Sequence, residues 1–493
     1  MKKYLNVQKD RKKYYFNPLK NTVHRSSLLA PSMLGSDTSI TFLNHFLIKR
    51  NYKSVALKIT AIDEIGKLID SHTQEINEPK VYTINLTRMF QNNKIKNYLI
   101  EFFSDKNLFV PFPAVIVSHS GKDFCNMVHS YNRILNDVFE NDQINNEMVA
   151  ESSIDILNNS KFDTFFNLAS GMKSINGYLN ILYQNKKQKV KKKIKVSVPR
   201  LSYKSFYLSK ILPKNTEGGT VKIEQPIPEL FFGRMLAGRI NKKTKAFSAN
   251  HSFYDSSKVK EYFNSKKSFR TYPFFQEFSN KVIFYPIMSK SNLKITVEIK
   301  NNDKIFKSKV FKFKHSIQSP LTIDISKIVK DNLITNVNSF TIVAESIGGK
   351  IPTRVNHQLI YGSKLKPSCL DCSINVSLTN DTVFTPKNKK SFIWGSALVN
   401  KNYDSNIGFC FKKNTGLQSS IEIDFYSENG KIDNRRYELK PSQSKIIDTR
   451  ELIKGNGEIQ YLWYVAKSDR ADLNSYSVHK NLISDYSSGE HNF

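Results

Sequence analysis

Four histidines lie in similar sequence surroundings, and the groups beside them could bind a ligand. These histidines, with the neighbours that directly follow the first two, are His129, Ser130, Tyr131, His251, Ser252, Phe253, Tyr254, His357 and His479. Aromatic rings stack on the apolar faces of sugars, while imidazole and hydroxyl groups exchange hydrogen bonds with sugar hydroxyls. We therefore treat these nine residues as candidate binding residues at the ends of strands.

The same histidines also have a structural interpretation. A polar ring that recurs at a strand end can reach back to a loop carbonyl, as the tyrosine corner of some β-sandwiches does. After His357 and His479 the Ser-aromatic neighbours are replaced by Gln-Leu and Lys-Asn. Each copy supplies one such histidine and no fixed second ligand, whereas a zinc site needs several. We therefore predict no metal site and no cofactor.

A lysine-rich run precedes His251 in the chain and follows the first predicted strand of that region. It contains the candidate anion-binding residues Lys186, Lys187, Lys189, Lys191, Lys192 and Lys193. The alternative is a solvated, lysine-studded sheet edge that resists pairing with other chains. The run lacks interleaved arginine and aromatic residues, so we do not expect sequence-specific recognition of nucleic acid.

The sequence contains none of the common catalytic motifs, namely GxSxG, HExxH, a Walker loop or GxGxxG. Ser118 and His119 are adjacent, but neighbours on a strand point to opposite faces, which is poor geometry for a nucleophile and its base. Cys369 and Cys372 form a single CxxC without a second pair, so we interpret them as loop thiols. We predict no catalytic residues.

The elements that would position these groups recur four times in the same order. The first block is a hairpin pattern, with apolar residues alternating on both sides of a polar turn, and it covers 56–70, 178–196, 293–313 and 421–439. The second block is a strand that passes into a helical start, at 81–90, 204–212, 321–329 and 445–453. Asp324 and Asp448 are suited to cap that start. The third block is a strand, a turn and a strand that carries one of the four histidines.

A unit of roughly 100–120 residues with about seven short strands has the size of a β-sandwich. We therefore predict an all-β fold of four tandem β-sandwich-like repeats joined by short helical or irregular connections. The expected domains are a basic N-terminal arm at 1–38 and repeats at 39–140, 160–258, 270–365 and 388–493.

Composition agrees with packed β domains and suggests an anionic partner. The chain has 493 residues, of which 39% are hydrophobic and 12% aromatic, and its formal net charge is +32. Such a charge favours association with polyanions, although lysine-rich composition alone could also produce it. No apolar run is long enough to span a bilayer, and the N-terminus shows no standard signal peptide. We expect a cytoplasmic location by default, or export by a non-standard route.

These features favour a non-enzymatic repeat protein that binds an extended or surface-displayed partner, above all a polysaccharide or another anionic polymer. Repetition suits such ligands because weak equivalent sites gain avidity. Two alternatives remain open. One is a structural component of a phage particle or appendage, which would self-associate. The other is a glycan-active enzyme with its site at a repeat junction.

The histidine interpretations differ in what they predict for His251→Ala. If the ring makes a buried hydrogen bond, the substitution should lower the free energy of unfolding by roughly 1–3 kcal/mol, measured by urea denaturation. Unchanged stability with lost ligand binding would contradict the structural interpretation.

Overall fold

A computed structural model describes most of the chain. The described residues are 24–106, 114–129, 132–134, 149–185, 187–213, 216, 218–226, 230–231, 235–254, 266–284, 292–301, 304–313, 320–349, 354–364, 370–379, 390–412, 418–453 and 460–492.

The strands of the first half are β1 (His24–Pro31), β2 (Asp37–Leu43), β3 (Ala56–Ile62), β4 (Leu68–Glu75), β5 (Val81–Asn85), β6 (Asn97–Ser104), β7 (Ile116–Ser120), β8 (Cys125–His129), β9 (Arg133–Ile134), β10 (Val149–Asp155), β11 (Phe162–Ala169), β12 (Ile175–Gln184), β13 (Lys189–Val198), β14 (Tyr203–Tyr207), β15 (Thr220–Gln225), β16 (Leu230–Phe231), β17 (Leu236–Asn241), β18 (Phe247–His251) and β19 (Phe253–Tyr254). Those of the second half are β20 (Lys267–Pro273), β21 (Phe278–Phe284), β22 (Asn292–Asn301), β23 (Lys304–Phe313), β24 (Leu321–Asp324), β25 (Ser339–Ile347), β26 (Arg354–Ser363), β27 (Cys372–Thr379), β28 (Ser391–Val399), β29 (Tyr403–Phe411), β30 (Ser419–Ser427), β31 (Gly430–Leu439), β32 (Ser444–Asp448), β33 (Gln460–Ser468), β34 (Leu473–Asn481) and β35 (Ser487–His491). The helices are α1 (His45–Arg50), α2 (Leu86–Met89), α3 (Leu208–Ile211), α4 (Ile325–Asp331) and a 3₁₀ turn at Thr449–Leu452.

Four β-sandwich repeats follow one another, which confirms the predicted fold class. We label the strands of each repeat A to H; they are β1–β8 in repeat 1, β10–β15 with β17 and β18 in repeat 2, β20–β27 in repeat 3 and β28–β35 in repeat 4. In every repeat one sheet has the order A-F-C-D and the other has the order E-B-G-H. In repeat 3 a single pair between strands A and H, Phe269 with Thr379, joins the two sheets into one.

The first two sequence blocks correspond to equivalent elements. The first block forms the C–D hairpin in all four repeats, and the second forms strand E and the short helix or turn after it. Asp324 Oδ1 accepts a hydrogen bond from the Lys327 N–H at 2.8 Å, and Asp448 Oδ1 accepts one from the Arg450 N–H at 2.9 Å. Both predicted caps are therefore confirmed. No helix in the described part of the chain is long and apolar enough to cross a membrane.

The third sequence block corresponds to different strands in the two halves of the chain, so its predicted equivalence is wrong by one strand. It covers strands G and H in repeats 1 and 2, but strands F and G in repeats 3 and 4. His129 and His251 therefore close strand H, whereas His357 and His479 lie on strand G. The F–G and G–H hairpins have the same strand-turn-strand pattern, so period-2 alternation cannot distinguish them.

Some strands lie outside the predicted repeat limits. β1 falls within the expected arm at 1–38 and pairs along its whole length with β6. β10 ends before position 160, and β27, which is strand H of repeat 3, lies wholly beyond position 365. Polar sequence lies beside these strands, so alternation alone defines no clear repeat boundary there.

The chain divides into two compact units, each of which contains two repeats. Unit 1 comprises residues 1–122 and 127–254, and unit 2 comprises 123–126 and 255–493. In unit 1, Leu29 and Leu99 of repeat 1 share a small core with Ala169 and Leu201 of repeat 2.

Unit 2 joins its repeats through an apolar core. Tyr476, Val478 and Cys410 of repeat 4 pack within the core of repeat 3. Neighbouring repeats therefore pack as pairs inside each unit.

The C–D hairpin of repeat 4 allows a test of its turn. Gly430 has φ +96°, and a Cβ placed there would meet no atom within 4 Å. Gly430→Ala should therefore cost about 1–2 kcal/mol through backbone strain alone, because the left-handed region disfavours a Cβ. Chemical denaturation of both Gly430→Ala and the exposed turn variant Glu428→Ala measures this. An equal effect of the two substitutions would contradict the strain argument.

Candidate functional site

Along strand D of repeat 2, which is β13, apolar side chains and lysines alternate between two opposite faces. Along β13 the even positions include Val190 and Ile194, which pack against the core of repeat 2. The lysines at the odd positions are exposed. We call them the lysine face, which consists of Lys189, Lys191, Lys193 and Lys195. Successive members are two residues apart, which is about 6.7 Å along a strand. Four amines therefore lie in a row about 20 Å long.

The lysine face carries no compensating acid on its own strand pair. Its partners across β12 are Gln184, Leu182, Asn180 and Tyr178. Glu224 of β15 lies one strand further away, beside Asn180, and in that same sheet Lys222 adds another amine beside Leu182. None of the four lysines forms an ion pair within the described residues.

The equivalent sheets of unit 2 contain acids that pair with some of their lysines. In repeat 4, Asp424 lies 2.5 Å from the Lys431 ammonium and 3.4 Å from that of Lys467. In repeat 3, Glu345 pairs with Lys267 and with Lys294 at 3.4 and 3.5 Å. The same fold position therefore carries mixed charge in one place and one-sided positive charge in repeat 2.

An exposed aromatic ring lies at one end of the lysine face. Tyr178 is 46% exposed although it lies on a strand, and the Lys193 ammonium lies 4.4 Å from its ring centroid. A cation–π contact of this kind holds the lysine over the ring. Neither Tyr178 nor Lys195 was among the residues selected from sequence; the two are direct cross-strand partners.

The remaining lysine candidates lie elsewhere. Lys192 lies on the face of β13 that is directed toward the core. It is nevertheless exposed, because β13 is the edge strand of its sheet. An inward-pointing charge on an edge strand protects against pairing with another chain, so Lys192 fits the structural interpretation. Lys187 is exposed in the C–D turn, and Lys186 lies outside the described residues.

Strand pairing shows which histidines are equivalent. When the last residue of strand E is followed across strand B to strand G, it reaches Ser118, Gly238, Ile360 and Val478 in the four repeats. The residues that directly follow these, His119, Arg239, Tyr361 and His479, therefore occupy one equivalent position. The same register through strand H places His251, Asn375 and His491 at another. His119 and His491 were not selected from sequence, because their equivalence is visible only through cross-strand pairing.

His357 has a structural role inside unit 2. Its Nδ1 donates to the Val355 carbonyl at 3.0 Å, and its Nε2 accepts from the Tyr272 hydroxyl at 2.7 Å. Burial, together with the charge of Arg270, lowers the pKa of His357 to about 3. Arg270 in turn donates to Asn474 Oδ1 of repeat 4 at 2.7 Å and to the Ser377 carbonyl of repeat 3 at 3.2 Å. The ring belongs to a buried polar cluster that joins the two repeats.

His479 is fully buried and has no hydrogen-bond partner on either ring nitrogen within the described residues. It lies opposite Ser405 on strand B and Ser488 on strand H. Burial lowers the pKa of His479 to about 3. This ring is therefore neutral in the folded protein above that pH.

The two strand-H histidines of unit 1 meet. The ring centroids of His129 and His251 are 4.5 Å apart with an interplanar angle of 66°, and the side chains are 5% and 3% exposed. His251 Nδ1 donates to the Ser252 carbonyl at 3.0 Å. One such histidine is predicted in each repeat from the sequence, whereas the packing of repeat 1 on repeat 2 brings two of them into contact.

The residues after these histidines do not form a described pocket. The Ser252 hydroxyl accepts a hydrogen bond from the Met235 N–H at 3.0 Å, which continues the G–H pairing. The backbones of Phe253 and Tyr254 form β19, and their side chains lie outside the described residues, as do Ser130 and Tyr131.

Cys372 is fully buried, and burial raises the pKa of its thiol well above the ordinary value. Cys369, the other member of the CxxC, lies outside the described residues. A buried thiol with a raised pKa is a poor nucleophile, so Cys372 is a core residue.

No protein-family description and no curated protein matches the chain. Among solved structures, a tetra-tandem repeat from the extending region of a large adhesion protein is 10% identical, covers 90% of this chain and 91% of its own, and has a TM-score of 0.10. The FN1–FN3 domains of chicken CNTN1 are 9% identical over 68% of this chain and 94% of theirs, with a TM-score of 0.10. The M60 catalytic domain with two CBM51 domains from Clostridium perfringens ZmpB is 7% identical over 92% and 55%, with a TM-score of 0.12. Scores this low mean that the folds do not superpose on this chain.

The burial of His479 predicts that the free energy of unfolding falls in acid. The folded pKa of His479, about 3, is below its unfolded value near 6.5, so the unfolded state binds the proton first and stability falls as pH drops below 6.5. From pH 7.5 to pH 5 this ring should cost about 2 kcal/mol of unfolding free energy. His479→Leu should remove that part of the loss in urea denaturation at the two pH values.

Ser405→Ala is the matched control, because it changes the same buried location without removing a titrating group. It should keep the wild-type pH dependence. If His479→Leu keeps it as well, the ring does not titrate as its burial requires.

Proposed function

We propose that this protein is a non-enzymatic repeat protein that binds an acidic polysaccharide through the lysine face of repeat 2. The observation that carries the proposal is the row of four exposed lysines, which form no ion pair within the described residues. The equivalent sheets of repeats 3 and 4 place acids among their lysines. The positive row is therefore a property of one repeat and does not come from the composition of the whole chain.

A linear polyanion fits the shape of this surface. Amines about 6.7 Å apart on a pleated strand can contact successive anionic groups of an extended chain without folding it. Since the amines are exposed, binding does not require burial of an unpaired charge. The interaction is electrostatic and should weaken as salt is added.

Tyr178 favours a sugar polymer over other polyanions. Its ring is exposed beside the lysines, and an aromatic face next to cations suits a pyranose that carries carboxylate or sulfate groups. Recognition of single-stranded nucleic acid commonly uses several stacking platforms, whereas Tyr178 is the one exposed ring among the β12 partners of the lysine face. Nucleic acid is therefore the competing outcome of the test.

The test replaces Lys189, Lys191, Lys193 and Lys195 together by threonine. At about 0.5 kcal/mol for each exposed charge, the variant should bind heparin and polygalacturonate about thirtyfold more weakly, measured by calorimetry at low salt. The matched control replaces four exposed lysines elsewhere, Lys67, Lys94, Lys96 and Lys401, and removes the same total charge. It should change Kd by less than about threefold.

Each outcome decides the proposal. Equal weakening in both variants would mean that net charge alone drives binding, and the lysine face would then have no special role. Tighter binding to single-stranded DNA than to either polysaccharide, lost in the same variant, would assign the face to nucleic acid. Tyr178→Ala should weaken polysaccharide binding further, and no effect would remove the argument for sugar stacking.

A further inference from the structure

The histidine pair of unit 1 is built by two different repeats. His129 closes strand H of repeat 1 and His251 closes strand H of repeat 2. One ring nitrogen of His129 lies within 4.8 Å of one ring nitrogen of His251. Both residues are at least nine-tenths buried. Two imidazoles brought together in this way are the commonest nitrogen ligands of transition metals.

The hydrogen bond of His251 determines which of its ring nitrogens carries the lone pair. Nδ1 donates to the Ser252 carbonyl, so the proton is on Nδ1 and the lone pair is on Nε2. A backbone carbonyl that holds the far nitrogen is the usual second partner of a metal-binding histidine.

The equivalent residue of repeat 4 repeats this feature. His491 Nδ1 donates to the Asn492 carbonyl at 2.7 Å. The Nδ1 proton is therefore held in the same way at this fold position in repeats 2 and 4. In repeat 3 the equivalent residue is Asn375, so the position is not histidine in every repeat.

The separation of the rings is close to what a shared ion requires. Two metal–nitrogen bonds of about 2.05 Å place the nitrogens about 3.4 Å apart at a tetrahedral angle and about 4.1 Å apart in a linear arrangement. The two ring nitrogens lie within 4.8 Å of each other, so small side-chain rotations suffice to reach either value. The rings are inclined at 66°, which is an edge arrangement and not a parallel stack that would turn both lone pairs away.

We propose that unit 1 binds one divalent transition-metal ion between His129 and His251. Imidazole nitrogen favours Zn²⁺, Ni²⁺ and Cu²⁺, whereas Mg²⁺ and Ca²⁺ prefer oxygen ligands. Both protein ligands are neutral, so water, hydroxide or a solution anion completes the coordination and offsets the charge. The ion links repeat 1 to repeat 2 and stabilises their pairing.

The first experiment uses Cu²⁺ as the probe on the tag-free full chain after chelation and dialysis. Electron paramagnetic resonance at one equivalent should show nitrogen coupling from two imidazoles. A spectrum with one imidazole, or the spectrum of free Cu²⁺, would overturn the proposal. This measurement needs no variant, so it decides the question even if a substitution prevents folding.

The second experiment uses Zn²⁺ and thermal unfolding. Zinc at a hundredfold excess over its dissociation constant should raise the melting temperature of the wild-type chain, because a ligand that binds only the folded state stabilises it. His129→Gln and His251→Gln should each lose this shift and lower Zn²⁺ affinity at least tenfold in calorimetry. His72→Gln, at an exposed histidine of β4, is the control and should keep both. A shift that survives in the two pair variants would overturn the assignment to this pair.

Discussion

The E-B-G-H sheet is the constraint on which much of the structure depends, because it has apolar side chains on both faces. β11 is buried along its whole length. Phe166 and Leu168 face the core of repeat 2, while Ala169, on the other face, shares a small core with Leu29 of repeat 1. A sheet of this kind cannot leave one face in water without a large loss of hydrophobic stabilisation. Each repeat therefore needs a neighbour, and the chain folds as pairs of repeats.

This pairing brings buried polar groups of neighbouring repeats together. In unit 2, Arg270 donates to groups of both repeats, and the Tyr272–His357 hydrogen bond lies beside it. In unit 1, pairing brings His129 against His251. Buried polar groups of this kind need partners, and here the partner often comes from the neighbouring repeat.

The A-F-C-D sheets leave surface available for function. The outer faces of repeats 3 and 4 carry ion pairs such as Asp424 with Lys431 and Glu345 with Lys294. Repeat 2 has the same strands, but no acidic residue of β12 lies opposite the lysines of the lysine face on β13. Four copies of one fold thus serve as internal comparisons, which separate what the sandwich needs from what one copy has acquired.

Elements with local sequence signals could be predicted without the structure. Period-2 alternation located all four C–D hairpins, and short polar side chains such as Asp324 marked the helix starts after strand E, because caps and turns depend on near neighbours. The sequence also identified the lysine run, although only the strand parity separates Lys192 from the lysine face. Tertiary structure alone decided the strand register and the pairing of repeats. Both depend on contacts between residues far apart in the chain, so His129 and His251 meet although nothing in their spacing required it.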